Sequence, residues 1–236
     1  MQVGKKCLVV GVAALLTAAS TMAQEWSGEG DLGYNRSSGN SNNEALRAKL
    51  ALQRTKERWT HGAELEAVNS SSDEERTAEY YVGRWESQFE LNDRWYGQAQ
   101  LRYEDNRFSG YEYQASVTGG LGYHVIATDR TTLDIEGGLG YRQSEENDTG
   151  VKLDEMVATG ELNYSFQMTD TTSLDWDLMT LAGADNTYIE SDIGIRVAIN
   201  SALALRLSHI IKHNTDTPED TKNTDRLTGV SLVYSF

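Results

Sequence analysis

The chain has 236 residues, of which 39% are hydrophobic and 24% charged. Its mean hydropathy of −0.55 excludes a bundle of membrane-spanning helices. Its 21 Gly, 12 Tyr and 5 Trp against a single Pro exclude a low-complexity chain. The formal charge of −15 argues against a nucleic-acid partner, because phosphate binding needs a basic surface. Composition leaves open a transmembrane β-barrel, in which only every second side chain meets lipid.

The first 23 residues have the pattern of a secretory signal peptide. Lys5 and Lys6 precede an apolar run over 8–16, and small residues follow up to Ala23, after which we expect cleavage. The apolar run is short for a membrane anchor. Cys7 is the only cysteine and would leave with the signal. The mature chain, 24–236, would therefore have neither a disulfide nor thiol chemistry.

From residue 26 onward, apolar and polar residues alternate, which is typical of strands with one apolar face. In the third run, for example, Trp59, Ala63 and Leu65 alternate with Thr60 and Glu64. The alternation predicts twelve strands, at 26–34, 46–52, 59–65, about 77–90, 95–103, 113–123, 133–141, 156–166, 174–178, 189–199, 203–207 and 230–236.

The connections between these strands are of two kinds. After even-numbered strands they are tight turns, at 55–58, 92–94, 127–131, 168–171 and 200–202; after odd-numbered strands they include long polar segments at 69–76, 143–152 and 212–225. Short periplasmic turns and long extracellular loops are typical of outer-membrane barrels. The sequence therefore predicts an all-β fold, an antiparallel transmembrane β-barrel, and a monomer, because a closed barrel has no free strand edge.

Aromatic residues are concentrated at both ends of the predicted strands, on the apolar side. Near the tight turns they are Trp26, Trp59, Trp95, Tyr123, Tyr164 and Phe166, and near the long loops they are Tyr34, Tyr103, Tyr113 and Tyr141. A general preference of Trp and Tyr for strands would scatter them along each strand. Two belts are what the two membrane interfaces favour, so we expect the barrel to lie in outer-membrane lipid.

Several stretches resemble a known family. The segments WSGEGDLGY (26–34), SSGNSN (37–42), RYEDNRFSGY (102–111) and GLGYR (138–142) are similar to motifs of the DUF481 family, whose members are often labelled salt-induced outer membrane proteins. The last strand, with Leu232, Tyr234 and Phe236, resembles the terminal signal read by the outer-membrane assembly machinery. The resemblance implies a Gram-negative cell outer membrane, a role under salt or osmotic stress, and no cofactor.

The polar side of the strands predicts a charged lumen. Its acidic residues are Glu29, Asp31, Glu64, Glu66, Asp134, Glu136, Glu155, Glu161, Asp175, Asp177 and Asp192, and its basic residues are Arg47, Lys49, Arg102, Arg142, Arg196 and Arg206. One interpretation is a plug of ion pairs that fills a small barrel and gives it a structural role. The other is a narrow pore whose excess of acids favours small cations.

An enzyme is the alternative function. Ser191 and His209 fall on the lipid side, and a tight turn near Ser201 would place Ile193 opposite His209 and Ser191 diagonal to it. Such a pair suggests a lipid-ester hydrolase, although no third group or oxyanion donor accompanies it. His61 and His124 fit ordinary interfacial roles.

The acidic loop segments 73–75, 145–148 and 219–220 carry oxygen ligands that suit a divalent cation, but their spacing matches no defined ion loop. We therefore interpret them as solvated charge and expect no catalytic residue and no bound metal.

Overall fold

The computed structural model describes residues 26–37, 43–72, 75–106, 109–147, 149–217 and 222–236. The predicted signal peptide lies outside the described residues, as do Asp73, Glu74, Asp148, Glu219 and Asp220 of the acidic loop segments. Within the described ranges, no helix is long and apolar enough to cross a membrane.

Twelve antiparallel strands close into one barrel, as the alternation predicts. They are β1 (Ser27–Ser37), β2 (Asn43–Lys56), β3 (Trp59–Ser72), β4 (Glu75–Glu90), β5 (Trp95–Asn106), β6 (Tyr111–Ala127), β7 (Thr131–Glu146), β8 (Lys152–Thr169), β9 (Thr172–Ala182), β10 (Thr187–Ala198), β11 (Leu203–Asn214) and β12 (Thr224–Ser235). Each strand pairs with its neighbours in the chain, and β1 closes the barrel against β12. Closure leaves no strand edge unpaired, which is what a β-structure in lipid requires.

The alternation has a direct structural cause, because successive side chains of a strand point to opposite faces. Outward positions carry large apolar side chains, with Leu65, Leu139 and Met156 each more than 60% exposed at the barrel surface. Many inward positions are polar, as the buried Arg102 and Glu104 of β5 illustrate. A one-residue shift of register would turn the polar side chains toward lipid and the apolar side chains toward the lumen. The contact of the apolar face with lipid therefore fixes the register.

The tight turns lie where the sequence predicts them, and we call that end of the barrel the turn end. At the opposite end, which we call the loop end, the strands are longer than predicted. Strands β3 and β4 continue into the predicted loop 69–76, β3 as far as Ser72 and β4 from Glu75, with Ser71 opposite Arg76. The strands likewise extend into the predicted loops 143–152 and 212–225, to Glu146 and Asn214. Serine, asparagine and glutamate at the strand ends form the backbone hydrogen bonds of the sheet as well as apolar residues do. Because polar residues of this kind are also common in loops, the sequence alone suggested a loop here.

Glycines on β6 and β7 let two strands approach very closely. Gly120 lies opposite Gly138, and a Cβ atom at Gly138 would lie 2.4 Å from the carbonyl oxygen of Gly119. At the neighbouring Gly137 a Cβ atom would meet nothing within 4 Å. Inward glycines at this point therefore allow the close backbone approach, which a side chain would prevent.

Candidate functional site in the lumen of the barrel

The structure places all the predicted lumen charges on the inner face of the barrel. Each of the predicted lumen bases contacts a carboxylate. Among these contacts, Lys49 Nζ lies 2.7 Å from Glu64 Oε2, Arg196 Nη2 donates to Glu29 Oε2 at 2.8 Å, and Arg142 Nε donates to Glu155 Oε1 at 3.1 Å. Pairing of this kind offsets the cost of removing the charges from bulk water.

A group of five buried charges joins β1, β2, β3, β10 and β11. Arg47 donates to Glu66 Oε1 at 2.9 Å and to Asp31 Oδ2 at 3.4 Å. Arg206 donates to Asp192 Oδ1 at 2.9 Å, and Arg47 Nη2 lies 3.8 Å from Asp192 Oδ2. Three strands separate β2 from β10 in the ring, so this contact crosses part of the lumen.

A second group, which we call the cross-lumen cluster, consists of Arg102, Glu104, Tyr188, Glu190 and Lys212. Arg102 of β5 pairs with Glu104 and donates to Glu190 Oε2 of β10 at 2.9 Å. Lys212 of β11 donates to Glu104 Oε1 at 3.2 Å. Because β5 and β11 are diametrically opposite in the ring of twelve, these side chains meet across the full width of the lumen.

The loop-end half of the lumen is packed rather than open. Arg102, Glu104, Tyr188 and Lys212 are at most 5% exposed. Two clusters of buried apolar residues contact this group. Val157, Met179 and Leu181 pack with Tyr188 itself, and Val68, Val82 and Leu227 pack with Tyr80, whose ring centroid lies 3.8 Å from Lys212 Nζ. A wide water-filled channel would leave these side chains accessible. This half of the barrel interior therefore resembles the side-chain-filled core of a small barrel.

The turn-end half contains a cavity of about 250 Å³, which we call the turn-end cavity. Its charged lining residues are Glu29, Asp31, Lys49, Asp175, Asp177, Arg196 and Arg206. Asp177 is exposed to this space although it points into the barrel.

Several lumen acids have no arginine or lysine partner. Asp134 Oδ1 lies 2.7 Å from His124 Nδ1, and Asp175 Oδ1 accepts from the Ser165 hydroxyl at 2.7 Å. The Asp177 carboxylate forms no hydrogen bond and no ion pair with the side chains of the described residues. The predicted bases are already occupied by other carboxylates, so the turn-end half carries an excess of negative charge.

A further pair of acidic residues lies on β7 and β8. Glu136 of β7 is directly opposite Glu161 of β8. Glu136 Oε1 accepts from the Tyr96 hydroxyl at 2.8 Å, and Glu161 Oε1 accepts from Gln100 Nε2 at 3.2 Å. Like charges directly opposite on neighbouring strands repel each other, and the two printed donors, a hydroxyl and an amide, are neutral. The described residues contain no group of three His, Cys, Asp or Glu side chains arranged to hold a metal ion.

Sequence reasoning missed most of the cross-lumen cluster. Glu104 comes two residues after Arg102, and Glu190 comes two residues before Asp192, so each faces the same side of its strand as a residue predicted to line the lumen. The two-residue alternation would therefore have identified both. Lys212 shares the parity of Arg206 but fell in a predicted loop. Arg84 of β4 was also missed; it lies opposite both Glu64 and Arg102 on the neighbouring strands.

On the outer wall, the predicted aromatic residues form contacts at both ends. At the turn end, Trp59 lies 4.8 Å from Phe89 between ring centroids, and Trp95 lies 4.9 Å from Tyr123. At the loop end, Tyr103 stacks on Tyr113 at 5.9 Å. Of the terminal residues, Tyr234 stacks on Phe236 at 5.9 Å. Such belts match the two interfaces of a bilayer.

The outward Ser191 and His209 do not form a nucleophile and base pair. Ile193 lies opposite His209 in the register, as expected. However, the Ser191 hydroxyl accepts from Trp176 Nε1 at 3.0 Å, and His209 Nδ1 lies 2.6 Å from the Thr228 hydroxyl. His61 stacks on Trp85 at 5.9 Å and lies 2.9 Å from the Ser87 hydroxyl, which fits its expected interfacial role.

A closed barrel with an apolar outer wall, aromatic belts and a polar interior defines an outer-membrane β-barrel. Solved structures with the same fold include the NanC porin, with a TM-score of 0.51 and 11% identity over 89% of this chain and 97% of that one. An outer membrane channel from Pseudomonas putida F1 has a TM-score of 0.54 and 10% identity over 90% of this chain and 95% of that one. Identities this low show the fold alone.

The chain belongs to the family described as protein of unknown function, DUF481, whose model matches residues 30–236. A relative is the uncharacterized protein YdiY of Escherichia coli (strain K12), 29% identical over 212 residues, which are 88% of this chain and 83% of that protein. The expected resemblance to DUF481 is thereby confirmed.

Proposed function

We propose that this barrel is a narrow pore of the outer membrane that passes small cations and is closed in the conformation described here. The observation that carries the proposal is the excess of carboxylates in the turn-end half, where Asp175 and Asp177 have no basic partner. Rings of acidic side chains favour cations in other pores. The charge distribution therefore supports a preference for cations over anions.

The cross-lumen cluster is the barrier in this proposal. Its residues contact each other from opposite walls of the barrel, as Lys212 of β11 does with Glu104 of β5. These side chains must move apart before an ion can pass through the lumen. A second candidate, a purely structural role in the envelope, rests on this same observation, because ion pairs that fix opposite walls also hold the strands in register.

Planar-bilayer recording of the refolded barrel distinguishes the two. A pore predicts discrete conductance steps at high salt and a reversal potential in a KCl gradient that favours K⁺. The variant Arg102→Ser/Glu104→Ser removes one positive and one negative charge from the barrier and should raise the conductance. The control Lys152→Ser/Glu145→Ser removes an ion pair outside the barrier, with Nζ 3.5 Å from Oε2 and the lysine exposed at the loop end, and should leave the conductance unchanged.

If neither the native barrel nor the variant gives conductance steps, the pore is refuted and the structural role is favoured. If the native barrel conducts but Asp175→Asn/Asp177→Asn leaves its ion preference unchanged, the turn-end acids do not select ions. A salt-stress role follows from the family label alone, and growth of a deletion strain at high osmolarity tests it.

We also propose that the barrel is a monomer in outer-membrane lipid and that its last strand is read by the assembly machinery. Closure of β1 against β12 supports the first point, since no edge is left for a second copy. The outward Leu232 and Tyr234, with the terminal Phe236, support the second. Light scattering in detergent would reveal a stable oligomer.

A further inference from the structure

Three consecutive turns at the turn end of the barrel carry an arginine at the same position. Arg58, Arg94 and Arg130 each come directly before a strand, which is β3, β5 and β7 respectively. The backbone carbonyl of each arginine accepts a hydrogen bond from the neighbouring hairpin, from Glu90 N at 2.9 Å, His124 N at 2.9 Å and Gln167 N at 2.8 Å. The three positions are therefore structurally equivalent, and we call these three arginines the basic arc.

The basic arc covers one side of the turn end only. In the β8–β9 and β10–β11 turns the equivalent carbonyls belong to Thr171 and Ala202, which accept in the same way. Neither of these two turns contains a basic residue. Arg54 and Lys56, at the end of β2, lie on the same side as the arc. The basic residues at these turns are thus confined to the side of the barrel that runs from β2 to β8.

Two arginines of the arc lie over rings of the aromatic belt that faces lipid. The guanidinium carbon of Arg58 lies 4.7 Å from the centroid of the Phe89 ring, and that of Arg94 lies 6.0 Å from the centroid of the Tyr123 ring. Both rings form the turn-end aromatic contacts described above. Because the aromatic belt marks the membrane interface, these cations lie at the level of the lipid headgroups.

The charges of the arc have no carboxylate partner in the part of the chain that the structure describes. Arg58 donates to a carbonyl oxygen at 2.6 Å, Arg94 donates to a hydroxyl oxygen at 2.9 Å, and Arg130 donates to two carbonyl oxygens at 3.2 Å. All three residues are exposed. Each guanidinium group has five N–H donors, so several N–H groups of each remain available to an anion. The acidic residues that precede the three arginines in the sequence are Glu57, Asp93 and Asp129.

We propose that the basic arc binds the headgroup phosphates of anionic phospholipids at the periplasmic face of the outer membrane. A planar guanidinium group matches two phosphate oxygens with parallel N–H···O bonds, and basic residues at a membrane surface attract anionic lipids. Such lipids should therefore gather along the side of the barrel from β2 to β8. The proposal goes beyond the proposed pore, because lipid binding to the outer wall requires no passage through the lumen.

Native mass spectrometry of the refolded barrel in detergent tests the proposal, with phosphatidylglycerol or phosphatidylcholine of the same acyl chains added. Both lipids contain a phosphate group, but only phosphatidylglycerol has a net negative charge. The barrel should bind phosphatidylglycerol at least about fivefold more tightly, which is the contribution expected of one basic residue near an anionic surface.

The variant Arg58→Gln/Arg94→Gln/Arg130→Gln should reduce the difference between the two lipids to less than about twofold. The single variant Arg94→Gln keeps the contacts that Arg58 and Arg130 make with neighbouring turns, and it should give an intermediate difference. Far-UV circular dichroism and heat-dependent gel migration establish that each variant is folded.

The control Lys152→Gln/Lys222→Gln/Arg226→Gln removes the same number of exposed basic residues from the loop end and should keep the native difference. Equal binding of the two lipids by the native barrel, an unchanged difference in the arginine variants, or an equal loss in the control would each overturn the proposal. The measurement does not depend on conductance, so a barrel that never conducts still tests the arc.

Discussion

Replacement of Lys212 by Met isolates the contribution of the cross-lumen cluster to stability. The ammonium group lies 3.2 Å from Glu104 Oε1 and 3.8 Å from the centroid of the Tyr80 ring, and the residue is 5% exposed. Met preserves most of the side-chain volume, so no large cavity forms. The loss of charge leaves Glu104 buried with Arg102 as its remaining cation.

Breaking a buried ion pair by removing one partner costs about 3–5 kcal/mol. Because Arg102 still neutralises part of the charge of Glu104, we expect Lys212→Met to lower the free energy of unfolding by about 3 kcal/mol. The matched control is Lys152→Met, whose ammonium group is 59% exposed and lies 3.5 Å from Glu145. A surface pair of this kind contributes only about 0–1 kcal/mol.

Equilibrium unfolding of the refolded barrel in lipid vesicles with guanidinium chloride, followed by tryptophan fluorescence, measures both variants. The double variant Lys212→Met/Glu104→Gln should cost less than the sum of the two single changes, because the second change removes the stranded charge. If Lys212→Met costs no more than Lys152→Met, the cross-lumen contacts do not stabilise the barrel and the reasoning is refuted.

Three further predictions concern the wall of the barrel. Gly138→Ala should lower the free energy of unfolding by about 1–3 kcal/mol through overpacking against Gly119. Gly137→Ala, where a Cβ atom meets open space, should change it by less than about 0.5 kcal/mol. The denaturant midpoints of the two variants test this difference. Phe236→Ala should reduce the amount of folded barrel in outer-membrane fractions, detected by heat-dependent gel migration, and unchanged amounts would contradict the assembly role. Ser191→Ala should leave any ester hydrolysis by the purified barrel unchanged. A loss of hydrolysis in this variant alone would support the hydrolase function instead.

The strands were predictable because the membrane imposes a simple rule on each of them. A residue such as Leu139 faces lipid and its neighbour faces the lumen, so the identity of each side chain reports its direction without knowledge of its partners. The loop end was less predictable. Ser71 and Lys212 lie in strands, but beyond the apolar band both faces of a strand can be polar, and the alternation no longer separates strand from loop.

The partners of the lumen charges could not be read from the sequence. Lys212 and Glu104 are 108 residues apart in the chain and meet only because β5 and β11 stand opposite each other in a ring of twelve. No pattern in the sequence around Glu104 or Lys212 indicates that the two side chains form a pair. The close approach at Gly120 and Gly138 likewise depends on the register between two strands.

The amino-acid sequence by itself determined that this protein is a closed antiparallel barrel with an apolar exterior and an acidic interior, since side-chain direction along a strand depends only on parity. The tertiary structure alone decided how that interior is divided. It packs Arg102, Glu104 and Lys212 into the loop end and leaves Asp175 and Asp177 lining a cavity at the turn end. The physical reason is that charges are neutralised by whatever lies within a few ångströms, and closure of the ring sets those distances.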